Sequence, residues 1–141
     1  MSILNIYVDP MHLLELGIVH HVLGSVLWLF CYVADYFPNF HTPADRLDAV
    51  WHRISRQYAG RGTPVQLSNL DLRWFTQPDA PHRRHPVLSS RVKAAETRHL
   101  VPIISDIWRH AKTPGDEHDE LVQDVLIGLT RFYECMESKD R

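Results

Sequence analysis

The 141 residues suit one domain with a buried core, and 45% hydrophobic with 23% charged residues is an ordinary globular composition. A formal net charge of −2 excludes nucleic-acid binding through overall charge, so any such contact needs a local basic patch. Two distant cysteines, Cys31 and Cys135, exclude a disulfide-rich scaffold and indicate free thiols in a reducing, intracellular compartment.

The N-terminus combines an extended and a helical signal. Residues 1–9 are rich in apolar residues that favour extended backbone, which predicts a short strand. Asp9 followed by Pro10 then predicts a helix start, because Asp caps helices well and Pro suits the first helical position. We expect this helix to reach about Asp35, with a weak point at Gly24-Ser25.

The apolar helix at residues 13–34 is too short in its uncharged part to cross a membrane. That part covers 22–34, whereas a spanning helix needs about 18 to 20 apolar residues. A helix that is apolar on nearly every side lies instead in a core or against a partner protein. The residues that we expect at such an interface are Leu16, Val22, Leu23, Trp28 and Phe30.

The clearest amphipathic helix lies in the helical region 10–75. Thr42 is predicted to cap it, Pro43 to take its first position, and Gly60 or Gly62 to end it. Its apolar stripe consists of Leu47, Val50, Trp51, Ile54 and Tyr58.

Residues 76–88 are predicted to form a Pro-rich basic loop because they show no apolar periodicity. C-terminal helices follow over 89–137: one from Ser89 or Ser90, kinked or split at Pro102, and a last one starting at Thr113-Pro114. The fold class is therefore mainly α, with four to five helices and one short N-terminal strand.

Glu96 is the acid that the pattern places inward. It shares an arc of about 80° with the apolar residues of its helix, where an unpaired carboxylate is costly and normally finds a cation, a donor or a metal. A salt bridge to Arg98 or to another helix would satisfy it equally well, just as Asp9 could be only a cap.

A local basic patch surrounds Glu96. The stretch 82–99 carries five strong bases and one acid in a mildly acidic chain. These bases form either a solvated turn or a surface facing phosphate groups. The candidates for nucleic-acid contact are Arg83, Arg84, Arg91 and Lys93. For the histidines, His12 and the pair His20-His21 could be ligands, but the chain offers no Cys or carboxylate at a zinc-site spacing beside them.

Two segments in order carry a family resemblance. "DPMHLLELGIVHHVLGSVLW" has Asp-x-Met-His followed by a helix, and "RVKAAETRHLVPIISDIW" has a Lys-led helix with an acid, a His and Leu-x-Pro. Together they resemble the corresponding blocks of CACTA-type DDE/D transposases of eukaryotic mobile elements, over about residues 3 to 110.

The resemblance implies part of an RNase H-like α/β core. Asp9 would be the second acid and Glu96 the third acid of a D-D-E/D trio that holds Mg²⁺ or Mn²⁺ for DNA strand cleavage and transfer. The first acid and the sheet partners of the strand have no counterpart in this sequence. The chain therefore looks like a transposase-derived fragment, inactive alone and nuclear if it follows the family.

An alternative of another class stays open. The apolar helix, the four tryptophans and the missing sheet also fit a non-catalytic helical subunit packed into a larger protein assembly, including one at a membrane. In that case the carboxylates only cap helices or form ion pairs.

Overall fold

A computed structural model describes residues 15–76, 86–89 and 91–139. This part of the chain is helical and contains no strand, which confirms the mainly α expectation. The predicted strand at 1–9 and the predicted helix start at Asp9-Pro10 lie outside the described residues. The elements are a π-helical turn Glu15–Val19 and the helices α1 His20–Tyr32, α2 Pro43–Arg61, α3 Arg73–Thr76, α4 Ala94–Ala111 and α5 Glu117–Lys139.

Helix α1 ends three residues before the predicted Asp35, at a site that a buried arginine organises. The Arg46 guanidinium donates to the carbonyl of Cys31 at 2.7 Å and to the carbonyl of Phe40 at 3.0 Å. The last carbonyls of a helix lack intrahelical donors, so this side chain from α2 satisfies one of them and fixes the following loop. The helix runs unbroken through Gly24, where we expected a weak point.

Helix α2 confirms its local signals. The Thr42 hydroxyl accepts the backbone N–H of Asp45 at 3.1 Å, Pro43 is the first helical residue, and Gly62 ends the helix with a φ of +63°. A positive φ is costly for residues with a Cβ, which explains why glycine stands there. Of the predicted stripe, Trp51 is half-buried, and the buried residues are Leu47, Val50, Ile54 and Tyr58.

Helix α4 begins later than predicted and does not split. It starts at Ala94 and continues through Pro102 to Ala111. Proline removes one backbone hydrogen bond, but Val101 and Ile103 beside it are fully buried, so tertiary packing outweighs that loss.

Helix α5 also begins later than Thr113-Pro114. Gly115 turns the chain with a φ of +79°, and Asp116 accepts the N–H of Asp119 at 3.0 Å as a cap. The three residues after Thr113 are therefore a turn that precedes the helix.

The core lies between α1, α2 and α4, and α5 packs mainly on α4. Phe30 of α1 contacts Phe37 and Trp108 at ring-centroid distances of 5.3 and 5.6 Å, which joins α1 to α4. The short segment 86–89 crosses α1, and its Ser89 N–H donates to the carbonyl of Trp74 in α3 at 2.6 Å.

Candidate functional site

Of the two acids that the resemblance implies, the structure describes one, Glu96. Asp9 lies outside the described residues. Glu96 lies in the first turn of α4, half-buried, and its Oε1 accepts the backbone N–H of Lys93 at 2.8 Å. This is the reciprocal half of a capping box, so local capping chemistry accounts for the position of this carboxylate.

Of the four predicted basic residues, the structure describes two. Arg83 and Arg84 lie outside the described residues, whereas Arg91 and Lys93 are exposed just before α4. Glu96 therefore shares one end of this helix with two cations, which is compatible with either a solvated turn or an anion-facing surface.

The predicted interface residues of the first helix mostly belong to the core of this chain. Leu23 and Phe30 are fully buried, and Val22 is half-buried. Trp28 is 36% exposed and stacks on Tyr32 at a centroid distance of 5.3 Å. Leu16 contributes backbone to the π-helical turn, and its side chain lies outside the described part. The helix is thus the central element that its composition predicts.

His20 forms a buried polar junction that sequence reasoning left unassigned. Its ring is 2% exposed; Nδ1 lies 3.1 Å from the carbonyl of Leu88, and Nε2 lies 3.1 Å from the hydroxyl of Thr97. A carbonyl only accepts, so Nδ1 carries the proton. Burial lowers the pKa of His20, which favours the neutral ring. The single hydroxyl proton of Thr97 is then shared between Nε2 and the carbonyl of Lys93, which lies 2.9 Å from the hydroxyl oxygen. The junction therefore ties α1, α4 and the crossing segment together.

A second polar cluster lies where α5 begins. Ligand atoms of Asp116, His118 and Asp119 all lie within 4.8 Å of one another, a grouping that could hold a metal ion. Its oxygens are already engaged: Asp119 accepts from the Tyr36 hydroxyl at 2.8 Å and from the Thr113 N–H at 2.9 Å. Burial opposes ionisation of Asp119, but these hydrogen bonds and His118 lower its pKa.

The position of this cluster favours an anchoring role. A helix N-terminus carries a partial positive charge, which stabilises carboxylates and disfavours a bound cation. The backbone carbonyl of Asp119 also accepts from the Trp108 indole N–H at 3.0 Å. The cluster thus fixes the start of α5 against α4 and Tyr36.

Helix α5 carries an exposed apolar stripe on the face away from α4. Leu121 is 60%, Val125 47% and Phe132 40% exposed. Gly128 and Cys135 are exposed too, so that five residues lie in an arc of about 80°. The face toward α4 is a different one, with Gln123, Leu126 and Tyr133 buried. The sequence alone indicates this exposed stripe, because the apolar arc of α5 is wider than one neighbouring helix can cover.

A basic groove of about 640 Å³ lies between α2 and α4. Arg53, Arg56 and Arg61 line it together with Asp106, which accepts from the Gln57 amide at 2.7 Å. Three guanidinium groups against one carboxylate leave a local positive charge in a chain of net charge −2. Guanidinium groups suit phosphate oxygens, so this groove is a candidate anion site.

Comparison with family profiles, curated proteins and solved structures finds no match for this chain. Within the described ranges, no helix combines the length and hydropathy needed to cross a bilayer.

Proposed function

We propose that this chain is a non-catalytic helical subunit that assembles with protein through the exposed face of α5. The observation that carries the proposal is the row of three large apolar side chains, Leu121, Val125 and Phe132, pointing to solvent from one helix face. Contiguous exposed apolar residues on a helix are typical of a surface that another helix covers.

The roles of the described acids support the non-catalytic part. Glu96 holds the first turn of α4, and Asp119 holds the first turn of α5. Asp106 accepts a hydrogen bond from the Gln57 amide and forms an ion pair with Arg109. Each of these carboxylates has a structural duty, as expected for a chain whose acids cap helices and form ion pairs.

Footprinting with hydroxyl radicals in the cells that express the chain tests this proposal. Phe132 and Phe40 are a matched pair, because the two phenyl side chains are 40% and 38% exposed. In cells we expect Phe132 to be protected several-fold relative to the purified, diluted chain, with Phe40 labelled equally in both. Equal labelling of Phe132 under both conditions would contradict the proposal.

The second candidate is the transposase-derived fragment, and the basic groove is the observation that favours it. DNA contact would then involve Arg53 and Arg56 in addition to Arg91 and Lys93 before α4. If so, Arg56→Gln should reduce the slope of log K against log salt concentration for DNA binding by about one. Arg73→Gln lies outside the groove and is the matched control, for which we expect no change in the slope.

The metal part of this candidate has its own test. Calorimetric titration with Mg²⁺ or Mn²⁺ should give binding that Asp9→Ala and Glu96→Ala each weaken. Binding that neither substitution changes would remove both acids from a metal-holding role.

A further inference from the structure

The exposed residues of α5 follow the spacing of a helix–helix seam. Leu121, Val125, Gly128, Phe132 and Cys135 are separated by four, three, four and three residues. This 4-3 alternation keeps one side of a helix facing a second helix over several turns. The stripe therefore fits a long, roughly parallel or antiparallel helical partner better than a small ligand.

The stripe is also symmetric about its middle glycine. Leu121 and Cys135 each lie seven residues from Gly128, and Val125 and Phe132 lie three and four residues from it. A two-fold axis beside Gly128 would thus bring the same stripe of an inverted second helix into register. Self-complementarity of one patch is the requirement of a two-fold dimer interface.

Two exposed charges beside the stripe share that symmetry. Asp124 and Arg131 lie on the same flank of α5, four and three residues from Gly128. Among the described residues neither forms an ion pair. An antiparallel second copy places Asp124 of each chain opposite Arg131 of the other, which forms two pairs at once. A parallel copy leaves both charges unmatched, because it brings like residues to the same level.

Gly128 gives a further reason for close approach at the centre. A Cβ at this position would meet no atom of the described residues within 4 Å, so packing within the described part of the chain does not require glycine there. Glycine weakens a helix interior relative to alanine. A glycine at the crossing point of two helices permits their backbones to approach, and this supplies a use for the residue.

From these observations we infer that the partner of the α5 face is a second copy of this chain, docked antiparallel with its two-fold axis beside Gly128. This inference depends on the proposed function, since it names the protein that covers the same stripe. The apolar residues provide the contact, and the reciprocal charges select the orientation.

Sedimentation of purified charge-reversal variants tests the inference. Wild type should pass from the monomer mass of 16.4 kDa to twice that mass as concentration rises. Asp124→Arg or Arg131→Asp alone should weaken association about tenfold, because each replaces two attractive pairs by two repulsive ones. The double variant, which carries both substitutions, should associate nearly as tightly as wild type. Asp48→Arg, on the exposed side of α2, is the control of equal charge change.

Cross-linking through Cys135 tests the orientation. In Leu121→Cys, mild oxidation should join position 121 of one copy to Cys135 of the other. A link between two Cys135 residues alone would overturn the antiparallel arrangement.

The outcomes separate this inference from the proposed function. A monomer at all concentrations, with Phe132 still protected in cells, would overturn the second copy and leave a different protein partner on α5. A dimer whose charge reversals are not rescued in the double variant would overturn the register. Equal labelling of Phe132 in cells and in the diluted chain would overturn both.

Discussion

The crossing of segment 86–89 over α1 at Gly24 gives a sharp test of the packing. A Cβ added to Gly24 would lie 2.6 Å from the backbone nitrogen of Leu88 and 2.8 Å from two backbone carbons of Val87. All three atoms are main chain, so no side-chain rotation can relieve the contact. Gly24→Ala must therefore move the segment or the helix.

The size of the effect follows from three contributions. Alanine favours a helix interior over glycine by about 1 kcal/mol. Overpacking a close backbone contact costs roughly 1–3 kcal/mol. Moving the segment also weakens the bond from the Leu88 N–H to the His20 carbonyl, now 3.0 Å long, which is worth about 1 kcal/mol. We expect Gly24→Ala to lower the free energy of unfolding by about 1–3 kcal/mol.

Gly60→Ala is the matched control. Gly60 also lies inside a helix, and a Cβ there would meet no atom of the described part of the chain within 4 Å. Its substitution should raise the free energy of unfolding by about 0.5–1 kcal/mol through helix propensity alone. Urea denaturation followed by circular dichroism measures both values. If Gly24→Ala proved as stable as Gly60→Ala, the close crossing over α1 would be refuted.

Three further outcomes are expected. Burial lowers the pKa of His20, so the unfolded chain binds the extra proton more readily and stability falls as the pH drops below about 6.5. His20→Gln should flatten that dependence in urea titrations between pH 5 and 8; an unchanged slope would contradict the neutral buried ring. Arg46→Met should lower the free energy of unfolding by about 2–3 kcal/mol in the same assay, since it removes two charge-assisted hydrogen bonds. A loss below about 1 kcal/mol would contradict a stabilising role for these two bonds. Burial raises the pKa of Cys31 to about 12, so in the diluted, monomeric chain a thiol reagent should modify exposed Cys135 at once and Cys31 only on unfolding. Mass spectrometry shows the order, and equal rates would mean that the core is open.

Local sequence signals predict the structure correctly where residues within one turn of each other decide it. Thr42, Pro43 and Gly62 predict the limits of α2, because capping and left-handed termination involve residues within one turn. The same reasoning failed at the start of α4. There, periodicity indicated the buried face, but it could not show that Glu96 would reach back to Lys93 rather than inward.

Long-range contacts could not be predicted from spacing. The ring of His20 bonds to residues 68 and 77 positions further along the chain. Periodicity gives the face of a helix but names no partner for it. The α5 stripe was visible as an excess of apolar residues, yet only the packing on α4 shows which half of that face stays exposed.

The bond between the Ser89 N–H and the Trp74 carbonyl joins two residues that are 15 positions apart in the chain. Sequence between such anchored ends can be exchanged or lengthened at little entropic cost. The Trp74–Ser89 contact thus makes the stability of the fold depend only weakly on the length of chain that joins its two partners.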